Sequence, residues 1–259
     1  MNAGRPPGRR QAEHHGSGPR TMSQVAEIEW KGRTGPFTLQ VAPGVFSPTH
    51  TSRMLAEAID IGPDDTVIDV GCGSGVLAFV AARLGAKKVY GCDLSAPAVE
   101  TARMNAERLG LSDLCEFRSG DLLEPMRDIR ASVLIGDVSG IPDELASLSG
   151  WFEKVPSGGP TGAELPLKML ATIGDTLAPG GRLYLPTGTI QDEQSILSAA
   201  REVFGDNMVP VMEREFPLPD LVAKSVAAAR MMKEGLLNLH KRGSRILWRL
   251  QIWRCVRSL

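Results

Sequence analysis

Thr66-Val67-Ile68-Asp69-Val70-Gly71-Cys72-Gly73-Ser74-Gly75, continued by GVLAFVAARLG over 75–85 and KVYGCD over 88–93, reads as a strand, a glycine turn, a helix and a second strand. The strand residues are Val- and Ile-rich without strict alternation, the pattern of a strand covered on both faces. Such a unit calls for a right-handed crossover and a parallel sheet. Outward from it the alternation continues: a helix over 96–110, strands CEFRSGD (115–121), ASVLIGD (131–137) and GRLYLP (181–186), and helices from about Gly162 to Leu177 and near 191–204. Ahead of it, two short strands from Val25 flank a turn at 31–35, an N-terminal hairpin over 25–45. Behind it, NMVPVMEREFPL reads as a strand, LVAKSVAAARMMKEG as a helix, and GLLNLHKRGSRILWRLQIWRC as a terminal antiparallel hairpin turning at Arg242-Gly243-Ser244.

The chain has 259 residues, 42% of them hydrophobic, enough for one substantial core. One domain over 25–259 is expected, with its C-terminal strands and an inserted helix in 205–259. Residues 1–24 are rich in Pro, Gly and Arg with almost nothing to bury, so disorder is expected there, and Met22 is an alternative start. The formal net charge of −1 argues against a polyanion binder, so nucleic acid is not the expected partner. The charge is uneven: +3 over 1–24, +7 over 230–259 and −11 between. The basic end reads first as solvated charge on an outer hairpin and second as a contact for an acidic macromolecule. Cys72, Cys92, Cys115 and Cys255 form no C-x-x-C and have no nearby His cluster, so neither a metal site nor a disulfide framework is expected. Reduced thiols, no apolar run near the roughly 18 residues of a membrane span and no signal-peptide centre point to a cytoplasmic protein.

The chemistry concentrates at the strand ends. Glycines let the backbone of 71–75 turn tightly and approach a ligand, while the following helix presents unpaired N–H groups. A dinucleotide turn requires G-x-G-x-x-G, but Val76 stands where its last glycine would be. Three acids, Asp69, Asp93 and Asp121, close three consecutive strands, and Asp93 is placed to accept two ribose hydroxyls. Each alone would serve equally as a helix cap or turn residue.

D-x-G-x-G-x-G in this context resembles motif I of the class I S-adenosylmethionine-dependent methyltransferases. The resemblance implies a Rossmann-like α/β fold, mostly parallel and doubly wound, with S-adenosyl-L-methionine as cofactor. It implies that Gly71, Gly73, Ser74 and Gly75 pack under the methionine and ribose of that cofactor, that Asp69 orders the loop or meets the amino group, and that Asp121 meets the adenine amino group with Leu94 or Leu122 against the ring. Gly44-Val45-Phe46-Ser47-Pro48-Thr49-His50-Thr51-Ser52 with Met54-Leu55, Gly158-Gly159-Pro160-Thr161-Gly162 and the run GCGSGVLAFVAARLGAKKVYGCDLSAPAV resemble one branch, the release-factor glutamine and ribosomal-protein methyltransferases. That likeness covers about Val45 to Leu185, and places Thr51 in a segment that closes over the cofactor.

At the acceptor position that branch reads N-P-P-Y, where this chain has Asp137, Val138, Ser139 and Gly140. An acceptor-only carboxylate replaces a donor-plus-acceptor amide and the aromatic platform is gone. The expectation is a methyltransferase acting on a nitrogen of a small molecule or a peptide or protein side chain, with Asp137 orienting the acceptor and Ser139 assisting. Equally, Asp137 caps the strand or touches the cofactor. His50 has a pKa suited to a base, yet the neighbouring hydroxyls would cap the next helix and leave it lining the entrance. Trp151 and Phe152 either stack on the acceptor or form a small core under the loop, and Trp248 and Trp253 read as sheet packing. An O-methyltransferase of specialised metabolism and a cofactor-binding partner subunit without turnover are the alternatives, and oligomeric state is open, a dimer included.

Overall fold

The computed structural model describes residues 25–149 and 158–259. β1 (Ala26–Trp30) and β2 (Phe37–Val41) pair as an antiparallel hairpin, Trp30 opposite Phe37. Then follow α1 (His50–Ala58), β3 (Thr66–Val70), α2 (Val76–Arg83), β4 (Lys88–Asp93), α3 (Ala96–Arg108), β5 (Cys115–Ser119) and β6 (Ala131–Gly136). The second half runs α4 (Asp143–Ser149), α5 (Glu164–Thr172), β7 (Leu177–Gly188), α6 (Glu193–Phe204), β8 (Met208–Pro217), α7 (Asp220–Ala223), α8 (Val226–Lys233), β9 (His240–Arg242) and β10 (Arg245–Val256). The main sheet has the order β5-β4-β3-β6-β7-β10-β8, with β9 beside β10. Its first five members are parallel and its last junctions antiparallel.

Alternate residues of the central strands feed two cores. Val67, Val133 and Ile135 face α1, α2 and α3 on one side, with Trp30 and Phe37 of the hairpin. Ile68, Leu134 and Leu183 face α5 and α6 on the other, through Met169, Leu170, Ile196 and Phe204. This two-sided burial is why these strands lack polar alternation. A third, smaller core joins α4, α7 and α8 through Leu145, Val222, Ala228 and Met231.

Three elements differ from the sequence reading. The helix expected over 162–177 stops at Thr172 and a short 3₁₀ turn leads into β7, which starts at Leu177. The helix expected over 221–235 is two, because Ser225 accepts from the Ala228 N–H and starts α8 afresh. The terminal hairpin turns at Gly243, but it is not an outer element: β10 inserts between β7 and β8, and β8 forms the edge. Three of the eight basic side chains over 230–259 form ion pairs within the chain, Arg249 with Glu193 at 2.9 Å, Arg230 with Glu144 at 2.9 Å and Arg242 with Glu215 at 2.7 Å. The expected disorder over 1–24 lies outside the described residues, as do Trp151 and Phe152. No helix of the described residues is long and apolar enough to cross a membrane, and none of their His, Cys, Asp and Glu clusters could hold a metal ion.

Candidate cofactor and acceptor site

The turn after β3 is fixed from three sides. Gly71 and Cys72 donate their N–H groups to the Cys92 carbonyl at 2.8 and 2.9 Å, which ties the turn to the end of β4. Gly73 donates to Asp93 Oδ2 at 3.0 Å. From α3, the fully buried Asn105 donates to the Ser74 carbonyl at 3.0 Å and exchanges hydrogen bonds of 2.8 Å with the Gln40 backbone of β2. Gly71 has φ +76°, and a Cβ there would sit 2.8 Å from the Asp137 carbonyl oxygen, so neither the conformation nor the space admits a side chain. The glycine turn and the loop after β6 are therefore in backbone contact.

Asp69 is 1% exposed at the end of β3. Its Oδ2 accepts from the Ala78 N–H in the first turn of α2 at 3.0 Å, while Oδ1 has no partner among the described residues. Burial, and then the charge of Asp137, push its pKa up to about 8. Asp93 also accepts from the Ser95 N–H at 2.8 Å, next to Leu94, which is 68% exposed. Asp121 lies just past β5 and pairs with Lys168 of α5. Leu122 beside it has φ +49° and accepts a hydrogen bond from the Cys92 thiol at 3.0 Å. Asp121, Leu122 and Lys168 line a cleft of about 210 Å³.

Asp137 follows β6, with Oδ2 accepting from the Ser52 hydroxyl at 2.9 Å. Burial raises its pKa to about 6 and that hydrogen bond opposes the rise. Ser52 belongs to a capping box with Thr49, whose side chain accepts from the Thr51 N–H at 3.2 Å. The first turn of α1 thus carries Thr51 and Ser52 to the loop after β6. His50, one residue earlier, is exposed and stacks on Phe216 of β8 with centroids 4.9 Å apart, and Phe216 lies 5.4 Å from Trp248 of β10. Ser139 is half-buried two residues beyond Asp137. The Gly158–Gly162 segment braces this loop: Gly158 donates to the Ile141 carbonyl at 2.8 Å, and a Cβ on Gly162 would stand 2.5 Å from the Gly140 oxygen.

Asp69, Asp93 and Asp137 with the glycine turn form one site, His50 turns toward β8, and Asp121 stands apart with Lys168. The sequence reading gave Asn105 no role and Ser52 only a helix-capping one. The signal for Asn105 was a lone amide among the alanines of α3. Ser52 had none beyond its capping position, since its partner is 85 positions away.

An acidic site with no basic side chain paired to it among the described residues, an unpartnered buried carboxylate oxygen and a side-chain-intolerant turn suits a small cationic nucleoside. The sequence model of the ribosomal protein L11 methyltransferase family matches residues 47–140, the stretch that holds the turn, Asp93 and Asp137. Over that stretch the chain resembles the class I S-adenosylmethionine-dependent methyltransferases. A ribosomal protein L11 methyltransferase of Alkaliphilus metalliredigens is 35% identical over 42% of this chain and 36% of its own length. A release factor glutamine methyltransferase of Moorella thermoacetica is 32% identical over 63% of this chain and 61% of its own. The chain thus spans less than two thirds of either relative. Among solved structures, a ribosomal protein L11 methylase from Lactobacillus delbrueckii subsp. bulgaricus has a TM-score of 0.51 at 20% identity, covering 85% of this chain and 84% of that one. A 16S rRNA N2 G1207 methyltransferase of T. thermophilus has a TM-score of 0.60 at 18% identity, covering 93% and 52%. These share the fold.

Proposed function

We propose that this chain transfers the methyl group of S-adenosyl-L-methionine to a nitrogen on a small molecule or on a peptide or protein side chain. Asp69, Gly71, Gly73, Ser74, Gly75 and Asp93 would hold the methionine and ribose parts, with Leu94, Asp121 and Leu122 toward the adenine and Thr51 near the entrance. The cofactor supplies an electrophilic methyl, so the protein's part is alignment and management of one proton. Asp137 carries the reading: a carboxylate with a pKa near 6, held by Ser52 against the glycine turn, is ionised at neutral pH and can accept a hydrogen bond from an acceptor N–H. The acceptor loses that proton as the N–C bond forms. The loss of the N-P-P-Y amide disfavours a glutamine amide as acceptor, and the ribosomal protein L11 and release factor methyltransferases that the chain resembles act on proteins by their names, so a protein amine is the first acceptor to test.

The test is methyl transfer from labelled cofactor to ribosomal protein L11, to release factors and to amine-bearing small molecules. Asp137→Ala should lower kcat on the accepted substrate at saturating cofactor by roughly 100-fold or more. Wild-type turnover in that variant would remove Asp137 from the chemistry, and transfer to hydroxyl acceptors alone would replace nitrogen by oxygen.

A further inference from the structure

The turn that joins β7 to α6 stands beside the loop after β6, because β6 and β7 are parallel neighbours and their connections leave the sheet at the same end. That turn is held throughout. The Gln191 N–H donates to the Gly188 carbonyl at 3.1 Å, the Glu193 N–H donates to the Gln191 carbonyl at 2.7 Å, and the Asp192 N–H donates to the Thr161 carbonyl at 3.1 Å. The Asp192 carboxylate caps α6 by accepting from the Ser195 N–H, and the fully buried Ile190 sits in the third core. A Cβ on Gly162 would stand 3.0 Å from Gln191 Cβ, so the Gly158–Gly162 segment packs against the stem of this side chain.

Gln191 is 7% exposed, yet among the described residues no hydrogen bond uses its carboxamide. Burying an amide without partners costs free energy, and folded proteins keep few such groups. The carboxamide lies against Gly140, the fourth residue of Asp137-Val138-Ser139-Gly140. A Cβ on Gly140 would stand 2.6 Å from Gln191 Oε1, 3.3 Å from Cδ and 3.4 Å from Nε2, and these are its three nearest atoms. The space that a side chain at position 140 would enter is therefore filled from the β7 side by an amide. The branch that reads N-P-P-Y has an aromatic ring at this fourth position and its amide at the first. Here the ring is absent and an amide arrives from a different connection.

We infer that Gln191 binds the methyl acceptor, supplying from the turn after β7 the paired donor and acceptor that the loop after β6 lacks. The inference rests on the methyltransferase reading given above and adds a specificity-determining residue to it. Oε1 accepts from an N–H of the substrate's head group, and Nε2 donates to a lone pair beside it. A neutral amide takes up no proton at working pH, so its contribution falls on acceptor binding and leaves the methyl-transfer step to other groups.

The experiment uses labelled S-adenosylmethionine and whichever of ribosomal protein L11, release factors and amine-bearing small molecules the wild-type chain methylates. Acceptor KM, kcat, cofactor affinity and melting temperature are compared for wild type, Gln191→Leu, Gly140→Ala and the double variant. Gln191→Leu keeps the bulk and removes both hydrogen-bonding atoms. Its acceptor KM should rise about tenfold, with kcat and cofactor affinity within about threefold of wild type. Its melting temperature should equal or exceed that of wild type, because an unbonded buried amide has gone. Gly140→Ala drives a Cβ into the carboxamide and should raise the same KM by a similar factor. The double variant should be no worse than Gln191→Leu, since both changes act through one group. An acceptor KM within threefold of wild type in Gln191→Leu overturns the inference. So does a melting temperature well below wild type or a failure of that variant to fold, either of which makes Gln191 a packing residue, and so do KM effects that multiply in the double variant. If the wild-type chain methylates none of these acceptors, the functional reading fails first and this inference with it.

Discussion

From β5 to β7 the sheet is parallel, and its glycine turn is organised by partners close in sequence, as with Gly73 and Asp93, 20 positions apart. From β7 to β8 it is antiparallel, and its side-chain contacts join residues far apart, Arg249 to Glu193 across 56 positions and Trp253 to Thr187 across 66. The first region places backbone N–H groups and carboxylates where a ligand would meet them. The second supplies half-buried aromatic and ionic packing along the antiparallel strands. The difference is one of kind: the turn is held by backbone N–H groups, strand-end carboxylates and the amide of Asn105, while the wall beside the loop after β6 is built from side-chain packing between distant segments.

Substitutions that separate the two regions test this directly. The largest effect is expected from Gly71→Ala, where a Cβ meets the Asp137 carbonyl at 2.8 Å in a backbone with φ +76°. Cofactor affinity should fall by roughly 100-fold or more and stability by about 2–4 kcal/mol, read by calorimetry and thermal melts. Retained binding would show that the turn can shift without harm. Trp248→Ala probes the other region. Trp248 packs against Phe216 and fills the space beside Gly188, so about 2–3 kcal/mol of stability should be lost with cofactor affinity within about threefold of wild type. A collapse of cofactor binding in a folded Trp248→Ala protein would erase the distinction between the regions. Leu94→Ala should have the smallest effect: an exposed side chain contributes little to the fold, so the melting temperature should hardly move, while cofactor affinity should weaken by roughly fivefold if the side chain lies against the adenine. Unchanged affinity would take Leu94 out of the site.

The order of strands and helices from Thr66 to Gly136 was legible because each element carries its own period and its own punctuation. So were the glycine turn and the acids at 69, 93 and 121, since strand-end positions follow from the parallel arrangement. Asp137 was legible as a position, but its chemical state was not. Its pKa near 6 comes from burial opposed by the Ser52 hydroxyl of α1. Lys168 as the partner of Asp121 was likewise hidden, because the pairing depends on how α5 packs across the sheet. The placement of β10 was missed for a related reason: its alternation of Leu, Trp and Ile with Arg and Gln says that one face is buried, but not which strands flank it.

The sequence by itself determined the parallel α/β frame, the side-chain-intolerant turn and the acids that end the strands, because these depend on periodicity, on φ and on residues within one strand-turn-helix unit. Only the tertiary structure decided that Ser52 meets Asp137, that the acids at 69, 93 and 137 share a site with no basic partner among the described residues, and that β10 lies inside the sheet with Arg249 paired to Glu193. Those facts are set by packing between segments tens of residues apart, where burial and Coulomb interaction act through space and leave no periodic mark along the chain.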